Sequence, residues 1–286
     1  MANHFEIPFS KFHGLANDFV VAEARGLPRS LAQLARSICE RHTGVGADGF
    51  LVVLPPHDRK HQARVRFFNA DGSEAEMSGN GIRCVAAVLV ARTATKGILR
   101  IETAAGVKSL HRVGSERGKW TFRVAMGRPI LKPAKIPFTG SQSTSPVVGF
   151  PLETSCGPLP VTVTSMGNPH CTVFVTDFGA VDWLRLGREI ELNHLFPHRT
   201  NVEFVKVLST KEIEIRFWER GVGETMSSGT GSCAAAVACI LNRRTGRKVR
   251  VQTPAGLLEV TWPAREEVVL TGPVELIARG TYHYRG

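Results

Sequence analysis

The chain has no apolar run long enough to cross a membrane. Its longest, CVAAVLVA from Cys84 and CAAAVACIL from Cys233, stop far short of the ~18 residues a spanning helix needs. The first residues, MANHFEIPFSKF, lack the basic-then-apolar layout of a secretory signal. The 6 cysteines form no CxxC pair and no metal-ligand spacing, so neither a disulfide framework nor a metal site is indicated, and buried thiols of a cytoplasmic protein are expected. The lack of apolar residues that marks a disordered chain is missing too: 43% hydrophobic and 21% charged over 286 residues are ordinary for a globular chain with room for two domains.

Charge is one-sided, with 36 Lys and Arg against 25 Asp and Glu, a formal +11. The cations are scattered except for NRRTGRKVR at Asn242–Arg250. That knot follows an Ala-rich helical stretch and contains Gly246, as a solvated helix C-terminus would, where cations oppose the negative dipole end. The expected consequence is a modest attraction for an anionic small substrate, with neither nucleic acid nor membrane as partner.

What is present is an internal duplication. RVRFFNADGSEAEMSGNG from Arg64 recurs 150 residues on as EIRFWERGVGETMSSGTG from Glu214: Arg66, Phe67, Glu74, Ser78, Gly79 and Gly81 reappear as Arg216, Phe217, Glu224, Ser228, Gly229 and Gly231. RIETAAG from Arg100 matches RVQTPAG from Arg250 at the same offset, and Asn17 and Asn168 stand almost as far apart. Two homologous domains are expected, 1–127 and 128–274, joined near Met126–Phe138 where prolines gather. In each, short alternating or apolar strands such as GFLVVL and EIEIRFW surround one Ala-rich helix introduced by Ser-Gly-x-Gly. A further helix is expected at SLAQLARSICERH, with Ser30 and Gln33 as a capping box. The fold class is therefore α+β, with two strand-rich domains each wrapped around a central helix.

Helix starts offer amides without intrahelical partners at the positive end of the dipole, and glycines there let an anion come close. Two equivalent starts could donate to one carboxylate, with the side chains of Ser78 and Ser228 on either side of it. Such an arrangement suits removal of a proton from one face of a carbon and return of one to the other. A serine before such a helix is also an ordinary N-cap. Gly44-Val45-Gly46-Ala47-Asp48-Gly49 satisfies G-x-G-x-x-G but precedes a strand, which rules out a dinucleotide turn. His57 and His61 lie on a polar loop and indicate no metal.

With FSKFHGLANDFVV, RHTGVGADGFLVV, FFNADGSEAEMSGNGIRC, SMGNPHC, TNVEFV and WERGVGETMSSGTGSCAAAVA, the chain resembles the diaminopimelate epimerases over essentially its whole length. The resemblance implies two pseudo-symmetric α+β domains, each a barrel-like, mostly antiparallel sheet around a central helix. It also implies an active site in the cleft between the domains, and a C-terminal tail, 275–286, returning to the first. The activity implied is cofactor-independent interconversion of LL- and meso-2,6-diaminopimelate, in the supply of lysine and peptidoglycan precursors. In that family two cysteines act as thiolate base and thiol acid; their positions are occupied here by Ser78 and Ser228. Cys84 and Cys233, inside the following helices, do not replace them. The other matched positions are intact. Asn17, Asn69, Asn168, Asn201, Glu219 and Arg220 fall where the amino groups and distal carboxylate are held. Gly79, Asn80, Gly229 and Thr230 fall where amides cradle the reacting carboxylate, and His170 and Glu219 where groups assist the two thiols. The ligand implied is a small amino acid; a homodimer is compatible with the sequence, which does not fix an oligomeric state.

A thiol ionises near 8.5, whereas an alkyl hydroxyl lies nearer the ~15.7 of water, a gap of roughly seven units that makes forming the base harder by about 10 kcal/mol. A neighbouring base such as His170 or Glu219 offsets part of this. Epimerisation is thus expected to be strongly impaired while the pocket keeps its shape. The alternatives are a racemase or elimination enzyme on another amino acid, and a non-catalytic amino-acid-binding homologue.

Overall fold

A computed structural model describes residues 4–93, 97–264 and 266–286. The chain divides into two units, 1–124 with 272–286, and 125–271. The limits of these units lie inside strands that run past each join.

The first unit runs β1 (His4–Gly14), β2 (Asn17–Glu23), α1 (Leu31–Cys39), β3 (Gly49–Leu54), β4 (Ala63–Asn69), β5 (Glu74–Ala75), α2 (Gly79–Thr93), β6 (Ile98–Thr103), β7 (Gly106–Glu116) and β8 (Lys119–Gly127). The second contains β9 (Val147–Leu152), β10 (Leu159–Ser165), β11 (Pro169–Phe174), α3 (Trp183–Glu191), β12 (Asn201–Ser209), β13 (Glu212–Glu219), β14 (Gly223–Thr225), α4 (Gly229–Leu241), β15 (Lys248–Thr253) and β16 (Gly256–Thr261). The long β17 (Val268–Arg285) begins there and ends in the first unit.

Both units use one strand plan. In the first, β1–β2, β3–β4, β6–β7 and β7–β8 are antiparallel while β2–β3 and β4–β6 are parallel. In the second, β10–β11, β12–β13 and β15–β16 are antiparallel while β11–β12 and β13–β15 are parallel. In the first unit β17 pairs with β8 on one side and antiparallel with β1 on the other, from His4↔Arg285 to His13↔Glu275. This closes the ring of pairings into a barrel without a free edge. The tail thus belongs to the first unit because it supplies the closing strand.

The two Ala-rich helices are buried on nearly every side: Gly79 to Val88 of α2 and Gly231 to Cys239 of α4 are all inaccessible. A helix apolar all round is stable only where sheet surrounds it. α2 packs on β1, β2 and β3, and α4 on β10 to β13 and on β15 and β16.

Local signals fared unevenly. α1 forms over the expected stretch, burying Leu34, Ala35 and Ile38, but the Ser30 hydroxyl caps nothing. The helix start is held by burial and by the Leu34 N–H on the Ser30 carbonyl at 3.2 Å. α3 was not anticipated; its Asp182 N-cap accepts from Arg185 N–H, and Leu186 and Ile190 are buried. The basic knot does follow the C-terminus of α4, and several of its cations find partners within the unit. Arg244 lies over Phe174 at 4.3 Å, Lys248 pairs with Glu259 at 2.9 Å, and Arg250 with Glu212 at 2.8 Å. No described helix is long and apolar enough to cross a membrane.

Among the described residues no cluster could hold a metal ion. The loop of His57 and His61 instead wraps one carboxylate. Glu102 accepts from the Asp58 and His57 N–H groups and meets the His61 ring at 2.8 Å, which holds its carboxyl down from 4.5 to about 2. A carboxyl depressed on folding adds stability above its unfolded pKa and loses it as pH falls through the folded one. Glu102→Gln is therefore expected to be less stable than the parent near neutrality, with the gap closing between about pH 4.5 and 2. Urea melts at several pH values check this; a gap constant across that window would contradict it.

Candidate active site

The duplicated Ser-Gly-x-Gly segments fold alike in the two units. In each, the serine hydroxyl accepts the N–H three residues on: Gly81 to Ser78 at 3.1 Å and Gly231 to Ser228 at 3.4 Å. The serine carbonyl then takes the first helical bond, from Ile82 and from Ser232 respectively. Both serines are N-caps through their hydroxyl oxygens. The final glycine of each motif is dictated by packing. A Cβ on Gly81 would stand 3.1 Å from the Phe67 ring, and one on Gly231 would stand 3.0 Å from Phe217 and 2.9 Å from Glu203 Oε1.

In the first unit Ser78 is half-buried, and Gly79 and Asn80 beside it are buried. Asn80 Nδ2 donates to Asn17 Oδ1 at 3.3 Å, and Asn17 Nδ2 donates to Asp48 at 2.8 Å. Asp48 is itself held by the Asp18 N–H and by Arg41 at 2.7 Å. Burial pushes the Asp18 carboxyl up, but Lys11 at 2.9 Å, the Asp48 N–H and Arg41 outweigh it and hold the group below its ordinary value. The glycine-rich loop that resembles a dinucleotide turn thus delivers Asp48 to Asn17. Beneath lies Arg83, fully buried, whose guanidinium donates to Asn80 Oδ1 at 2.8 Å, the Gly79 carbonyl at 2.9 Å and the Pro273 carbonyl of β17 at 3.2 Å. Asn69 stands apart from this set: exposed at the end of β4, it donates to Ser73 Oγ at 2.9 Å within its own turn.

In the second unit the predicted residues fall into small hydrogen-bonded sets. Asn201 donates to the Pro169 carbonyl at 2.9 Å and accepts the Arg220 N–H at 3.0 Å, and the Arg220 guanidinium caps the His198 carbonyl at 3.1 Å. Glu219 accepts from Thr225 Oγ1 at 2.7 Å, and the Ser228 hydroxyl stands near enough to help hold its carboxyl down. Burial pushes the Glu219 carboxyl up, against the pull of those two hydroxyls and of His170. Burial thus makes the Glu219 carboxyl harder to ionise, in the neighbourhood of the Ser228 hydroxyl. His170 has both ring nitrogens engaged, Nδ1 with Glu203 at 2.6 Å and Nε2 with Asn168 Oδ1 at 2.9 Å. Gly229 is buried and Thr230 half-buried in the first turn of α4.

Glu203, Asp48, Thr225 and Arg83 were not foreseen. Only Glu203 carries a signal in the sequence: it interrupts NVEFV, a run buried on both faces of β12, where a carboxylate needs a partner. No other thiol stands in for the serines. Burial pushes Cys39, Cys84 and Cys239 up to about 12 and Cys171 well above its ordinary value. The exposed Cys156 is held by Arg185 at 3.2 Å, outside both helix starts.

The diaminopimelate epimerase family model matches residues 9–132 and 162–277. A diaminopimelate epimerase of Pelotomaculum thermopropionicum is 46% identical over 97% of this chain and 99% of its own length. That of Halothermothrix orenii is 43% identical over 96% and 97%. Among solved structures, a hydroxyproline epimerase from Agrobacterium vitis matches at a TM-score of 0.71 with 15% identity, covering 100% of this chain and 95% of that one. A PhzF-family phenazine biosynthesis protein from Bacillus anthracis matches at 0.67 with 16% identity, covering 98% and 99%. At such identities these two establish the shared fold alone. With a family model spanning both repeats and near-full-length relatives above 40% identity, this chain belongs to the diaminopimelate epimerase family of isomerases.

Proposed function

We propose that this chain binds diaminopimelate in the manner of its family and transfers its α-proton only slowly, because hydroxyls occupy the two positions from which thiols act. The observation that carries the proposal is the matched pair of serine N-caps. Each hydroxyl accepts a helix-start amide at 3.1 or 3.4 Å, an arrangement that favours negative charge on oxygen but supplies only a fraction of the missing acidity. Ser228 has the additional help of the nearby Glu219; among the described residues no carboxylate bonds to the Ser78 hydroxyl. Asn17, Asn80, Asn168, Asn201, Glu219 and Arg220 are the groups that would hold the ligand, Asn69 joining them after turning from Ser73.

Two measurements test this together. Calorimetry with LL- and meso-diaminopimelate should show binding, and proton NMR in deuterium oxide should show α-hydrogen exchange far below the ordinary enzymatic range of about 1–10³ per second. Exchange within that range would refute the impairment, and absence of binding would refute the ligand. Exchange on a different amino acid, with none on diaminopimelate, would favour a racemase or elimination enzyme instead.

A further inference from the structure

Beside the second helix start lies a polar pair that the first repeat lacks. His170 is 0% exposed and Glu203 1%. The parallel pairs Phe19↔Gly49 and His170↔Asn201 occupy equivalent places in the two strand plans, which puts Phe19 and Leu51, both buried, where the second unit has His170 and Glu203. An apolar pair therefore serves this architecture well. A buried ionisable pair in its place is at best neutral for stability, so its reason lies elsewhere.

The proton count supplies one. Asn168 Oδ1 can only accept, so the Nε2 that meets it at 2.9 Å carries a hydrogen. The 2.6 Å contact of Nδ1 with Glu203 then holds one further proton, on nitrogen or on oxygen, and the pair is neutral overall. Turning the Asn168 amide round to donate to a bare Nε2 would leave Nδ1–H facing an ionised Glu203. That places a net negative charge where nothing is exposed and Glu219 is in electrostatic range, and protonating Glu203 to avoid it would put a buried O–H on Oε2, which has no acceptor within reach. The first turn of α4 favours an anion there, but burial prevails: it raises both Glu203 and Glu219, and Glu219 further opposes charge on Glu203.

We propose that Glu203 and His170 act as a positioning pair, keeping the Nε2 hydrogen on Asn168 Oδ1 and thereby fixing the Asn168 amide as a hydrogen-bond donor to an acceptor oxygen, such as a carboxylate, on the ligand. Among the described residues Asn168 Nδ2 has no protein partner, and Asn168 is half-exposed. In the first repeat the equivalent Asn17 has its amide committed to Asp48, so the two asparagines differ in what they offer. That Asn168 meets the ligand rests on the function proposed above; the state of the ring does not.

Nitrogen-15 NMR of the ligand-free, histidine-labelled protein reads the ring directly. A protonated Nε2 is expected, and a bare Nε2 overturns the proposal. The double variant His170→Phe with Glu203→Leu restores the apolar pair of the first repeat. It should be at least as stable as the parent in urea, yet bind meso-diaminopimelate roughly tenfold or more weakly. Unchanged affinity overturns the proposal, and if the variant does not fold, the spectrum of the unsubstituted chain still decides. Failure of the unsubstituted chain to bind diaminopimelate would instead remove the function proposed above.

Discussion

Ser78→Cys combined with Ser228→Cys is expected to raise α-proton exchange on diaminopimelate by roughly three to four orders of magnitude. The gap of about seven units between hydroxyl and thiol lowers the population of the basic form by about 10⁷. An alkoxide is the stronger base once formed, and with a Brønsted sensitivity near one half it recovers about half of that deficit on the logarithmic scale. What remains is about 5 kcal/mol of barrier. Either cysteine alone should allow exchange on the epimer whose hydrogen faces it, without inversion, because inversion takes a group from each repeat. Deuterium incorporation followed by NMR, beside a chiral assay for epimer conversion, separates the two events. A double variant that binds the ligand and stays inert would remove the hydroxyls as the cause of slow exchange. The serine N-caps set a structural condition on the experiment: a thiol is a poorer acceptor than a hydroxyl, so losing both caps should cost about 1 kcal/mol at each helix.

The second large effect concerns stability. Arg83→Met is expected to destabilise the protein by roughly 3–5 kcal/mol, since the buried Gly79 carbonyl and Asn80 Oδ1 and the half-buried Pro273 carbonyl lose donors at about 1–3 kcal/mol each. Methionine keeps the apolar volume of the stem, so the loss reports the guanidinium rather than a cavity. Because Arg83 also orients Asn80, and Asn80 bonds to Asn17, ligand affinity should fall in the folded fraction. Chemical denaturation measures the first effect and calorimetry below the melting temperature the second. A change under 1 kcal/mol would show that other groups satisfy these acceptors.

The parts of the molecule legible beforehand are those written in local pattern. The duplication, the Ala-rich helices, and the serines and glycines at their starts follow from composition and spacing over a few residues, and the structure has them where the pattern put them. α1 was legible from its apolar face, yet its capping box was not realised, because burial of Leu34, Ala35 and Ile38 suffices to hold the helix start. α3 escaped notice because nine residues with one buried face look much like a loop with scattered apolar residues.

The amino-acid order by itself determined that this chain is two repeats of one plan, each with a polar helix start that carries a hydroxyl. It also determined which residue types stand at the matched positions. Only the tertiary structure decided what those residues touch: that Asp48 meets Asn17, Arg83 ties α2 to β17, Glu203 meets His170, and Asn69 turns to Ser73. Apart from Asn69, these partners lie tens of residues or more apart, brought together by strand register and burial. A buried polar group must find its partner wherever the fold puts one, and no local pattern states where that will be.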